Sequence, residues 1–424
     1  MKRRLAVVVL LLIVASALSA RTAAQGQVEV QSSSARSDFP NGIVFALDAE
    51  SGTGLDEVRL VYRIAPDGVR TTAIAECTGG TVVSCRAELA ATPRNLLIPG
   101  AQVTYSWQLS VGEVIQETAP QLVTYEDTRF SWRTVSDANL TLWWYAGSEE
   151  EARAVLAAGR ESLNRLSALL QTSVDFPVKI FYYGSAQEMQ PAIINDDRRG
   201  IVTLGEVVYS DTAMVSADAA PEEIARHEIA HIVVRQAVRG PFDVPDWLNE
   251  GTAVFAQSRP LQDQQRALEA AIQSGRVLSV RSLSSASSGG LGSRVSLFYG
   301  QSWSLVNFLV ETYGEEQFAE LFRAFREGAT TADALTQVYG FNQDGLENAW
   351  RESVGLPPRQ APTPDEEALA ATPALPTPEQ AEEPARQGGD GGAPIAVIVA
   401  IAALAVLLAG GLVGAGLLLA RRYR

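Results

Sequence analysis

The sequence predicts a multidomain chain: an all-β sandwich, then an α+β domain, then a polar stalk that leads to one C-terminal membrane-spanning helix. Three observations predict this. Strand-like runs broken by turn residues fill residues 26–127. From Thr128 a few strands give way to helical periodicity. Ile395 to Ala420 is an unbroken apolar run followed by RRYR, long enough to cross a hydrocarbon layer of about 30 Å.

In the first part, residues 25–127, the runs are GIVFALDA, EVRLVYRI, VRTTAIAEC, TVVSCRAEL, QVTYSWQLS and QLVTYED. Gly, Asp and Pro punctuate them at short, regular spacing, the pattern of a sandwich of immunoglobulin or fibronectin type. No cluster of catalytic residue types falls here, so a spacer or a module that binds a protein partner is expected. Cys77 and Cys85, the only cysteines, flank a Gly-Gly turn. In an oxidising compartment they would staple a hairpin.

The second part, residues 128–356, opens with the strand LTLWWYAG and a helix from Glu149, whose acidic residues face solvent. VKIFYYG is another strand, and IVTLGEVVYSDTAMVSA supplies one or two more. Helices are expected over 221–237, 246–258, 260–275, 300–313, 315–327 and 331–338. Strands first and helices after is an α+β arrangement. Asn139-Leu-Thr is a glycosylation sequon, relevant only in a glycosylating host.

The ends set the expected location. Residues 1–24 have the basic start, apolar run and small residues of a secretory signal peptide. Residues 357–392, rich in Pro, Ala, Glu and Gly, have too few large apolar side chains for a core and form the stalk. Residues 393–420 are the span, and 421–424 a basic tail held in the cytoplasm. The lipid bilayer is therefore an expected partner, with the ectodomain outside. The net charge of -15 excludes a nucleic-acid partner, since such binders carry a basic patch.

Both histidines of the chain lie in one stretch, ARHEIAHIVVRQ, residues 225–236. Pro221 suits a first helical turn, Glu222 and Glu223 favour its positive end, and Gly240-Pro241 stops it. His227 and His231 share a helix face and can aim two imidazole nitrogens at one metal ion. Glu228, offset by about 100°, stands beside the metal as a proton acceptor. This is the H-E-x-x-H arrangement. A catalytic zinc keeps three protein ligands, and with no third histidine the third must be a carboxylate. PDWLNEGTAVF, residues 245–255, offers Asp246 and Glu250. Gly251 and Ala253 are small enough for close helix contact, and Trp247 and Phe255 read as core.

HEIAH, followed nineteen residues later by the Glu of WLNEG, resembles the gluzincins, and among them the bacterial peptidase MA-like domains. The resemblance spans roughly 128–355 and includes YGQSWSLVNFLVETYG near its end. The metzincin extension is absent, because Val234 and Ala237 occupy its Gly and His positions. The resemblance implies a thermolysin-like zinc peptidase. His227, His231 and Glu250 carry over as ligands, and Glu228 as the general base for a metal-activated water. Tyr299 is the candidate donor to the oxyanion, and Asp246 or Asn249 the group that orients a ligand histidine. The strand around Val207 to Ser210 would align the substrate by β-addition.

The expected function is thus a membrane-anchored, outward-facing zinc peptidase acting on peptides or proteins. The competing expectation is a catalytically silent surface adhesion protein, in which the sandwich binds and the metal domain is a scaffold.

Overall fold

The computed structural model describes residues 28–359, apart from 66–67, 93–94, 96, 194–204, 210, 240–243 and 285–291. The expected signal peptide, nearly all of the expected stalk, the apolar run and the basic tail lie outside the described residues. Among those described, no helix is long and apolar enough to cross a membrane. The chain divides into two compact units, one up to Ser131 and one from Trp132.

The first unit contains β1 (Val28–Asp38), β2 (Gly42–Ser51), β3 (Glu57–Ile64), β4 (Thr71–Ile74), β5 (Glu76–Gly79), β6 (Val82–Ala90), β7 (Gln102–Val111), β8 (Val114–Glu117) and β9 (Gln121–Thr124). One antiparallel sheet runs β1-β2-β6-β5; the other runs β4-β3-β7-β8, with β9 also on β7. The period-two pattern places Phe45, Leu47 and Ala49 of β2 inside, as it does Val103, Tyr105, Trp107 and Leu109 of β7. The sheets face each other: the rings of Phe45 and Tyr105 meet edge to face at 4.9 Å. The run VRTTAIAEC, expected as one strand, is two. The chain changes sheet at Ala75, so β4 pairs β3 and β5 pairs β6. Cys77 and Cys85 stand opposite each other in the β5–β6 register and are joined by a disulfide.

The second unit holds a five-stranded sheet, β10 (Arg133–Asp137), β11 (Leu140–Trp144), β12 (Val178–Tyr183), β14 (Thr212–Ser216) and β13 (Gly205–Tyr209), in that spatial order. β11, β12 and β14 are parallel, and the edge strands β10 and β13 run against them. The expected alignment strand around Val207 is thus the edge strand β13; Ser210 lies outside the described residues. The helices are α1 (Glu149–Leu169), α2 (Ala186–Met189), α3 (Pro221–Val238), α4 (Asp246–Ala256), α5 (Gln262–Ser274), α6 (Gly292–Tyr313), α7 (Glu315–Arg326), α8 (Thr331–Tyr339) and α9 (Gln343–Ser353).

α1 starts at a capping box, in which Ser148 Oγ accepts from Glu151 N and Glu151 reaches back to Ser148 N. Its apolar stripe packs with α3 against Leu140, Leu142, Val178 and Ile180 of the sheet. Gly159 lets it seat closely: a Cβ there would lie 3.0 Å from Ile180 Cδ1 and 3.4 Å from Ile229 Cγ1. Ser162 Oγ ties α1 to α3 by donating to Arg226 O at 2.7 Å. Asn139 is engaged on every side. Its Nδ2 donates to Val174 O and Phe176 O at 2.8 and 2.9 Å, and its Oδ1 accepts from Arg160 Nη1 at 3.0 Å. The sequon is therefore a structural joint.

Two boundaries differ from expectation. α6 begins at Gly292, not near 300, so Tyr299 sits inside the helix instead of at its start. The folded body runs past 356: Pro357 and Arg359 are hydrogen-bonded to α9. A further helix, α9, follows the last one read from the sequence.

Candidate active site

α3 carries both histidines through the middle of the unit. Pro221 opens it, Glu222 and Glu223 occupy its first turn, and Arg239 ends it in the left-handed region. Ile224, Ile229, Ile232 and Val233 are buried. The helix is held by packing on nearly all sides, so its two imidazoles are aimed by a fixed scaffold.

α4 crosses α3 and supplies the carboxylate. Gly251 sets how close α4 comes to α6, because a Cβ there would lie 2.4 Å from Ser302 O. Glu250, one residue earlier, is buried at 4% exposure. Its Oε2 stands 3.3 Å from His227 Nε2 and 3.5 Å from His231 Nε2. The two Nε2 atoms are 3.2 Å apart. These three atoms form a nearly equilateral triangle. A tetrahedral ion with bonds of about 2.0–2.1 Å needs ligand edges of about 3.3–3.4 Å, which is what the triangle offers. Glu250 Oε2 is buried and accepts no hydrogen bond in this arrangement, a costly state for a carboxylate oxygen unless a cation completes it. The three residues are the group of His, Cys, Asp and Glu, among the described residues, that converges closely enough to hold a metal ion. Two imidazoles and one carboxylate are a donor set suited to zinc.

The surroundings prepare these donors. Asn249 Oδ1 lies 3.0 Å from His231 Nδ1. An amide oxygen only accepts, so His231 carries a proton on Nδ1 and turns Nε2 toward the triangle. Asp246, the other candidate for that orienting task, is the first residue of α4. Glu228 is 2% exposed and adjoins His227 on α3. The ring of Tyr299, 1% exposed on α6, meets that of His227 edge to face at 6.0 Å. Trp247 is buried and Phe255 half-buried in the core. Cys77 and Cys85 belong to the other unit.

Charge is shared unevenly in the metal-free centre. Burial holds the His227 imidazole below its ordinary range. Burial also opposes a charge on His231, but the Glu250 carboxylate, with help from Glu228 and Asn249, outweighs it and raises His231 to about 9. For Glu250 burial pushes upward, yet the facing imidazoles win and lower it to about 2. Without metal, one proton on His231 balances the buried carboxylate.

Comparison with known proteins agrees with this centre. Residues 158–355 match the model of the Peptidase MA superfamily. None of the curated proteins matches. A solved M1 zinc metallopeptidase from Deinococcus radiodurans, in a mutant form, shares 13% identity over 80% of this chain and 97% of its own, with a TM-score of 0.32. An aminopeptidase N family protein from Idiomarina loihiensis shares 9% identity over 79% of this chain and 72% of its own, at a TM-score of 0.26. At TM-scores this low the likenesses carry no argument of their own. The family match covers α3, α4 and α6 and so takes in every residue of the triangle and its neighbours; the second unit of this chain carries a gluzincin-like domain of the Peptidase MA superfamily.

Proposed function

We propose that the protein is an extracytoplasmic zinc peptidase, anchored to the membrane by its C-terminal apolar run. The observation that carries the enzymatic part is the triangle of His227 Nε2, His231 Nε2 and Glu250 Oε2 at tetrahedral edge spacing. The apolar runs at 1–24 and 395–420 support the location.

His227, His231 and Glu250 would hold the ion. Zinc, when bound, supplies a Lewis acid for the scissile carbonyl and brings the pKa of water down toward about 7. Glu228 accepts the proton of the attacking water at a carboxylate oxygen and returns it to the leaving amine. A C–O bond forms and the C–N bond breaks, with no net proton change in the protein. Asn249 keeps the His231 ring in the tautomer that presents Nε2. The Tyr299 hydroxyl donates to the oxyanion, a contribution of the kind worth about 3 kcal/mol. The β-sandwich unit acts as a spacer or as a surface for a protein partner.

Metal analysis of the purified full chain, with cleavage of a peptide library before and after chelation, tests this reading. One zinc per chain and chelator-reversible cleavage are expected. A chain that holds no zinc at neutral pH overturns it, and a zinc-loaded chain that cleaves no peptide leaves the sandwich-centred adhesion role in its place.

A further inference from the structure

α9 and the residues just after it grip the loop between α5 and α6. Glu347 on α9 is buried at 3% exposure. Its Oε2 accepts from Val280 N at 3.0 Å, and its Oε1 meets the guanidinium of Arg359. Arg359 Nη2 also donates to Val277 O at 3.1 Å, and Arg359 N to Asn348 Oδ1 at 2.8 Å. Arg351 Nε donates to Pro357 O at 2.7 Å, which presses the chain after α9 onto that helix. The loop is held further along by two bonds from Arg281 to Asp344, at 2.8 and 2.7 Å, and by Gln343 Nε2 donating to Ser284 Oγ at 3.1 Å.

From the other side α6 grips the same loop. Gln301 is fully buried. It accepts from Leu278 N at 2.9 Å and donates to Leu278 O at 2.7 Å, as a paired strand would. Trp350 Nε1 donates to Ser304 Oγ at 3.0 Å and ties α9 to α6 directly. Gln301 lies two residues after Tyr299, whose ring contacts His227. A path of hydrogen bonds therefore leads from Arg359, whose side chain is 41% exposed, through the backbone of the loop to Gln301, on the side of α6 turned away from Tyr299.

A buried carboxylate is held in place by its cation, and losing one partner leaves the other stranded. Here the cation comes from irregular chain beyond the last helix, and it also closes on the loop. We infer that residues 355–359 are a strap that positions α6, and through it Tyr299, beside His227. Arg359 is its clasp and Glu347 its anchor. Both are positioning residues; neither touches the metal donors. The proposal rests on the peptidase reading and deepens it: turnover depends on the junction between the folded domain and the chain that leaves it.

Hydrogen exchange and peptidase kinetics on the zinc-loaded full chain, wild type beside Arg359→Ala and Arg359→Lys, test this. In Arg359→Ala, amide exchange over 277–283 and 295–303 rises on the order of tenfold while α1 keeps its wild-type rates. Zinc stays stoichiometric, and kcat falls roughly tenfold with little change in KM. Arg359→Lys keeps the charge facing Glu347 but lacks the fork that reaches Val277 O, so it falls between the two. Wild-type exchange over 295–303 in Arg359→Ala overturns the strap. So does acceleration that extends evenly through α1, which would make Arg359 a general stabiliser. If Arg359→Ala does not fold, wild-type exchange over 295–303 in Arg359→Lys overturns the strap by itself. A wild-type chain that cleaves no peptide defeats the peptidase reading alone, since the exchange data still decide the strap.

Discussion

The amide oxygen of Asn249 lies 3.0 Å from Nδ1 of His231, and Asn249 is the residue just before Glu250 on α4. One helix turn thus supplies both the third candidate metal donor and the group that orients the second. Replacing Asn249 by Ala should leave the fold intact and weaken zinc by about 10- to 100-fold. Competition with a chromogenic chelator measures it; an unchanged affinity would show that the ring is aimed by packing alone.

Glu228 and the histidines should separate cleanly in mutants. Glu228→Gln keeps a side chain of the same shape but cannot accept a proton. It should retain one zinc per chain and lose about 10²- to 10⁴-fold in kcat/KM. His231→Ala removes a donor and should lose the zinc. Metal content and peptide cleavage, measured on the same preparations, check both.

Metal binding should release a proton. In the metal-free centre His231 is raised to about 9, so at pH 7 it holds a proton that the metal must displace. Apparent affinity should therefore climb about tenfold per pH unit from 7 and level off above about 9. Titration calorimetry in buffers of different ionisation enthalpy should show about one proton released at pH 7. Uptake without release would mean that His231 is neutral before the metal arrives.

Gly251→Ala should strike the site through packing. The added Cβ would lie 2.4 Å from Ser302 O, and backbone cannot yield as a flexible side chain does. α4 and α6 must separate, at a cost of about 1–3 kcal/mol, and Glu250 shifts with α4. A lower melting temperature together with a weaker metal site is expected. A lower melting temperature with undiminished zinc affinity would show that Glu250 is held independently of that contact.

Reduction of the Cys77–Cys85 bridge should act on the first unit alone. The bridge closes a loop with a sequence separation of 8, and opening it should cost roughly 2–3 kcal/mol in the chain-entropy account. Peptidase activity should survive, which thermal unfolding and cleavage assays on Cys77→Ala/Cys85→Ala protein would check.

Much of the candidate site was legible because its signals are local. The start of α3 at Pro221, the acidic first turn and the four-residue spacing of the histidines all depend on neighbours within a turn or two. Strands β11 to β14 of the second unit were legible for the same reason, whereas β10 was not read from the sequence. What escaped had weak local signals. β1 contains QSSSARSD, whose residue types do not alternate between polar and apolar even though its exposure does, because no residue of the stretch is fully buried. VRTTAIAEC is continuous in pattern, yet it splits between two sheets at Ala75. α6 extends upstream to Gly292 through residues with little helical punctuation. The docking of Pro357 and Arg359 depends on Glu347 and Asn348, partners on the preceding helix that no short pattern reveals.

By itself the sequence determined that two imidazoles share one face of a braced helix with a glutamate beside them, since the helical period is a property of the backbone. Its residue types offered Asp246 and Glu250 as the third donor, and the family resemblance favoured Glu250. Tertiary structure brings Glu250 to the two imidazoles. The packing of α4 on α3, with α4 seated closely on α6 at Gly251, brings Glu250 Oε2 to 3.3 and 3.5 Å from the two Nε2 atoms. The same packing seats Tyr299 against His227. Distances between helices come from the side chains that fill the space between them, and those contacts join residues that lie far apart along the chain.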